Sequence, residues 1–138
     1  MKRIEPKPGQ ESVWDYPRPP RLEPTSKQIR VEFGGEVIAS SNRAFRVLET
    51  SHPPVYYLPP DDVRTDLLTR TSGSSYCEWK GHAGYYDLTV GERTVRQAAW
   101  FYASPAAAFA PIANHIAFYP SKIDACFVHF GVKFVAQF

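Results

Sequence analysis

The run QIRVEFGGEVIA at residues 28–39 constrains this chain most. Ile29, Val31 and Phe33 alternate with Arg30 and Glu32, the period of two that a strand with one buried face requires. Gly34 and Gly35 supply the positive φ of a tight reversal before Glu36 to Ala39 return. Similar punctuation recurs along the chain. Residues 44–49 read as a strand with Ala44, Arg46 and Leu48 on one face and Phe45, Val47 and Glu49 on the other, which leaves one charge near the core. VYYL at 55–58 is a short edge strand closed by Pro59 and Pro60. Residues 76–80 form a strand that Gly81 breaks or bulges, and 83–90 meets 94–102 across Gly91 and Glu92. Short strands follow at 116–119 and 125–128, with TRTSGSS at 69–75 as a polar loop. Helix is confined to a short piece capped by Asp61 or Asp62, ending near Thr69, and one turn within 104–110. This pattern predicts a mainly β fold of two small antiparallel sheets, a sandwich or open barrel, with one or two short helices.

A chain of 138 residues suits one core. Six of the thirteen prolines lie within residues 1–26, which excludes regular helix there and predicts an extended arm that lays Trp14 and Tyr16 on a single β-rich domain of residues 27–138. A net charge of +2 gives no basic field for nucleic acid or an anionic membrane. No apolar run suits a membrane helix or secretory leader, so a soluble cytoplasmic protein is expected, with Cys77 and Cys126 reduced. Neither zinc spacings nor a P-loop occur, so no metal is assigned and any cofactor stays unknown.

Chemistry concentrates in YCEWKGHAGYY at 76–86, with VYYL before it and AAWFY at 98–102 after it. On an unbroken strand Cys77 and Trp79 share one face and Lys80 the other, unless Gly81 re-aims the lysine. Cys77 is a small buried hydrophobe, or a nucleophile whose thiolate Lys80 or His82 favours. Tyr57, Trp79, Tyr85 and Trp100 are core rings, or the walls of a pocket that stacks a planar ligand. Arg43, Arg46 and Glu49 form a solvated face, or a guanidinium fork for an anion with Glu49 holding it in place. His52, His82, His115 and His129 show no ligand spacing.

The segments ESVWDYPRPP, SSNRAFRVLETSHPPVYYLPPDDV, YCEWKGHAGYY, AAWFYASP and IAFYPSKIDAC together resemble the domain-of-unknown-function family 427, which also carries a nucleotidyltransferase-like label. The resemblance reaches to about Val128 and implies a β-tent-like fold, two antiparallel sheets leaning over a pocket. After Val128 the chain departs from the family's Asp-Gly turn and reads HFGVKFVAQF. Nucleotidyl transfer needs carboxylates spaced to hold divalent metal, a spacing that adjacent Asp61 and Asp62 lack.

Three functions follow as expectations. The first is a small-molecule-binding domain whose aromatic pocket comprises Tyr57, Cys77, Trp79, Tyr85 and Trp100, with Arg43, Glu49 and Lys80 anchoring a planar or anionic metabolite. The second is an enzyme with Cys77 as nucleophile or Glu49 as general base. The third is an interaction scaffold, a possible homodimer docked through the proline-rich arm.

Overall fold

A computed structural model of the chain describes residues 20–50, 52–130 and 133–137. The predicted packing of Trp14 and Tyr16 falls outside these residues. The fold is mainly β and every strand pairing is antiparallel, as the alternation and glycine turns require. The strands form three small sheets rather than two. Strands β1 (Arg21–Pro24), β4 (Phe45–Leu48) and β5 (Val55–Tyr57) make the first, in the order β1-β4-β5. Strands β2 (Gln28–Phe33), β3 (Glu36–Ser41), β10 (Ala125–Phe130) and β11 (Lys133–Gln137) make the second, in the order β11-β10-β2-β3. The third runs β6-β7-β8-β9, from β6 (Leu68–Cys77), β7 (Gly81–Val90), β8 (Arg93–Phe101) and β9 (Ile116–Phe118).

The predicted hairpin of residues 28–39 is present as β2-β3, with Ile29, Val31 and Phe33 buried. A bulge sets Val31 opposite Ala39 and Glu32 opposite Val37, so Ile38 is the extra residue and both Ile38 and Ala39 reach the core. These side chains meet Leu88, Ala98, Ile116 and Phe118 of the third sheet, and Cys126 and Val128 of β10, in the larger of two apolar clusters. The smaller cluster joins Val47 and Tyr57 of the first sheet to Ala83, Tyr102 and Ala117, with Phe109 and Ile112 from the 3-10 segment Ala107–Ile112. The first and third sheets are stitched where Leu58 and Ile116 exchange backbone hydrogen bonds of 2.9 and 2.8 Å.

Two local expectations are corrected. TRTSGSS is not a loop but part of β6, paired with β7 through Thr69↔Asp87 and Ser75↔Ala83. The serines and threonines form a half-exposed strand because β7 offers a partner, and pairing overrides weak local propensity. The helix expected after Asp61 is instead two 3-10 turns, Pro60–Asp62 and Thr65–Leu67, and no side chain caps either. Asp62 turns away to accept hydrogen bonds from Ser41 Oγ at 2.7 Å and Arg43 at 2.9 Å, so its carboxylate is not available to accept from the N–H groups of a helix start. Among the described residues no helix is long and apolar enough to cross a membrane.

The second predicted hairpin, β7-β8, carries a wide bulge. Leu88 faces Val95 but Tyr86 faces Ala99, so two steps back along β7 correspond to four along β8. Gln97 takes φ +50° there, its N–H donates to Asp87 Oδ1 at 2.8 Å, and Lys122 Nζ donates to the carbonyls of Arg96 and Gln97. Beyond the bulge, Gly84 faces Phe101 so closely that a Cβ would stand 2.6 Å from the ring. The Arg70 guanidinium covers the same ring, 4.8 Å from its centroid. Gly84→Ala is therefore expected to force the ring aside and lower unfolding free energy by about 1–3 kcal/mol in denaturant titration, with far-UV circular dichroism unchanged.

Candidate functional site

Between the first and third sheets lies a cleft of about 270 Å³. Strand β4 and the turn after it contribute Val47 and Glu49, and β5 contributes Val55 and Tyr57. The opposite wall comes from the third sheet, whose pleat sends Ser75, Ala83, Tyr85 and Trp100 to one face. Ser75 lies opposite Ala83, Tyr85 lies opposite Trp100, and Ser75 Oγ meets the Tyr85 hydroxyl at 2.6 Å. Trp100 Nε1 donates to the Tyr57 hydroxyl at 3.2 Å across the two walls. The Trp100 and Tyr57 rings meet edge to face at 89°, and Tyr119 packs on the indole at a centroid distance of 4.4 Å.

Lys80 enters by a backbone device. Strand β6 stops at Cys77 and residues 78–80 turn, so the face alternation expected for 76–80 does not extend to Trp79 and Lys80. Gly81 then takes φ +109°, a conformation side-chain-bearing residues rarely adopt, and starts β7. The Lys80 carbonyl accepts the Ala106 N–H at 2.9 Å, which pins residues 104–106 over the turn. Lys80 consequently lines the cleft at 9% exposure, while Trp79 stands outside it at 40%. Among the described residues, no acceptor or carboxylate pairs with Lys80 Nζ, which lies over the Phe109 ring face, 5.9 Å from the centroid.

Of the residues singled out in the sequence, Glu49, Tyr57, Lys80, Tyr85 and Trp100 meet in this cleft. Arg43 does not: its guanidinium is exposed and bound to Asp62, whose carboxyl it holds below the ordinary range. Nor does Glu49 hold an arginine, because Arg46 pairs with Glu23 directly across the β1-β4 ladder. Glu49 instead stands at the cleft, its carboxylate 3.7 Å from His52 Nδ1. Cys77 packs against the smaller apolar cluster, outside the cleft lining, so the two candidate catalytic groups are not brought together. Cys126 is a core thiol, pushed up to about 12 by burial. Tyr102 and Tyr119 line the cleft without having been singled out. Tyr102 was readable as the i+2 neighbour of Trp100 on one strand face, whereas Tyr119 reaches the site only through the β8-β9 pairing.

Burial sets the protonation of the phenols. Tyr57 and Tyr102 are both displaced well above the ordinary phenol range, first by desolvation and then by each other or by Cys77. Tyr119 is raised from 10.0 to about 12 by burial and by the nearby Tyr85 hydroxyl. At neutral pH the cleft therefore presents neutral hydroxyls able to donate hydrogen bonds, and a lysine as its lone unpaired cation among the described residues. No three His, Cys, Asp or Glu side chains among the described residues are grouped to hold a metal ion.

A small, mainly β domain of antiparallel sheets is the class these features define. The chain belongs to DUF427, a domain-of-unknown-function family whose model matches residues 21–129. The nucleotidyltransferase wording attached to that family is a label. No curated protein matches the chain.

The raised phenols fix a pH response. A tyrosine whose folded pKa exceeds its unfolded one favours the folded state fully below the unfolded value, and that contribution disappears as pH rises through the folded value. Stability is thus expected to hold up to about pH 10 and to fall as pH climbs toward 12. Denaturant midpoints measured across this range check it, and Tyr119→Phe should make the decline shallower; a midpoint indifferent to alkali would contradict the burial of these hydroxyls.

Proposed function

We propose that this protein is a small-molecule-binding domain that takes a small metabolite by an anionic group, with Lys80 as the anchor and tyrosine hydroxyls as donors beside it. One observation carries this reading: a lysine nine-tenths buried at the cleft, without a hydrogen-bond or ion-pair partner among the described residues. The stem of Lys80 is packed away while its ammonium keeps access to the cleft, where no protein carboxylate among the described residues neutralises it. A carboxylate or phosphate seated at Lys80 supplies that pair, and charge-assisted hydrogen bonds are the stronger class of polar contact. The hydroxyls of Tyr102 and Tyr119, kept protonated at neutral pH by burial, add polar contacts that carry no opposing charge. The cleft volume of about 270 Å³ lies just below the range of sites that enclose drug-sized ligands, which suits a small metabolite.

The test is thermal denaturation with a panel of small carboxylates, amino acids and phosphate esters, for the natural chain and for Lys80→Met. A ligand that binds only the folded state raises its melting temperature with concentration. The natural chain is expected to respond to at least one compound and Lys80→Met to none. Without ligand, Lys80→Met should stay close to the natural chain in stability, since methionine fills similar space along the packed stem. Ligand responses that survive intact in Lys80→Met would remove the lysine from the binding role.

A further inference from the structure

Beside the polar cleft lies a second, of about 220 Å³, whose exposed lining is almost wholly apolar. It is walled by Pro54, Tyr56, Phe118 and Pro120, and it shares His52, Pro53, Val55 and Trp100 with the first. Four lining residues, His52, Pro53, Val55 and Trp100, are common to both clefts, so the two adjoin and the second offers apolar space beside the first. The first cleft also carries a second charge. Glu49 lines it with a side chain 30% exposed, and among the described residues its carboxylate meets only His52 Nδ1, at 3.7 Å, beyond hydrogen-bond length. A simple anion held by Lys80 would leave this carboxylate without a counter-charge in the same cleft.

Building on the anion-binding reading of Lys80, we propose that the ligand is an α-amino acid with an apolar side chain. Its carboxylate pairs with Lys80, its ammonium with Glu49, and its side chain crosses the Trp100 rim into the cleft formed by Pro54, Phe118 and Pro120. The occupant is neutral overall, matching a site with one free cation and one carboxylate. Its two charges each meet the opposite sign, and its apolar part leaves water against proline and aromatic surfaces.

Calorimetric titration with four probes separates the parts: phenylalanine, glycine, 3-phenylpropionate, which lacks the ammonium, and phenethylamine, which lacks the carboxylate. Phenylalanine is expected to bind tightest. Glycine should be weaker by at least about tenfold, because each buried methylene equivalent is worth roughly threefold to fourfold in affinity. Each single-charge analogue should be weaker by about tenfold or more, the usual effect of losing a charged hydrogen bond. Glu49→Gln should erase the advantage of phenylalanine over 3-phenylpropionate. Pro120→Asp, at an exposed position that leaves the core intact, should erase its advantage over glycine. Equal binding of glycine and phenylalanine, or of phenylalanine and 3-phenylpropionate, overturns the assignment of an α-amino acid with an apolar side chain, and Lys80-dependent binding of those same probes leaves the anion reading standing. Binding of phosphate esters with no response to any of the four probes also overturns it alone. Silence toward every compound, phosphates included, removes both.

Discussion

Two backbone hydrogen bonds between Leu58 and Ile116 are the constraint on which the site depends. Each sheet alone presents rings and small residues to water; joined at that bridge, β5 and β9 lie side by side and their sheets lean into a common space. The Pro59 and Pro60 pair ends the first sheet immediately after the bridge, because proline donates no further ladder hydrogen bond. The Trp100 to Tyr57 contact then spans the gap and fixes the distance between the walls. Backbone pairing thus sets the cleft before any side-chain chemistry enters.

Within that frame the molecule keeps a charge where most neighbours are apolar. A lysine at 9% exposure, facing phenols and a phenylalanine ring, and the hydrogen-bonded Ser41 are the polar residues buried among otherwise apolar side chains of the described residues. Sequences fold well when each local choice agrees with the whole, and departures from that agreement concentrate at working sites. The other charged networks are of the opposite kind. Arg93 pairs with Asp124, which also accepts the Gly34 N–H at 2.8 Å, and Arg93 lies 4.1 Å from the Phe33 ring centroid, so β2, β8 and the β10 approach are tied at one point. Every charge there has a protein partner, and the knot explains itself as architecture.

Much of the fold was legible because its signals are local. The glycine hairpin at 28–39 and the Gly91 hairpin follow from alternation and turn chemistry, and both stand as read. The β6 strand was hidden because TRTSGSS has turn composition and gains its strand from β7 alone. The site was legible to the extent that strand parity carries: Tyr57, Tyr85 and Trp100 came together because pleats alternate. Parity failed at Trp79, since the strand ends two residues earlier, and at Arg43, since Asp62 captures it from another turn. Such captures depend on where the chain folds back, which no short window of sequence contains. Residues 130–138 lie beyond the family match, yet β11 pairs with β10 as an edge strand.

The bulge at Asp87 and Gln97 gives the cleft a form of adjustability. By advancing β8 two residues against β7, it sets Trp100 rather than Ala98 across from Tyr85. Whether that position carries an indole or a methyl group is decided by strand length, held by one carboxylate and the Lys122 ammonium well outside the cleft. Insertions or deletions at this bulge therefore act on cavity shape: without the two-residue offset, Ala98 rather than Trp100 would stand across from Tyr85. The shape of the cleft need not be written only in the residues that line it, because it is also written in how many residues separate the turn from the tryptophan.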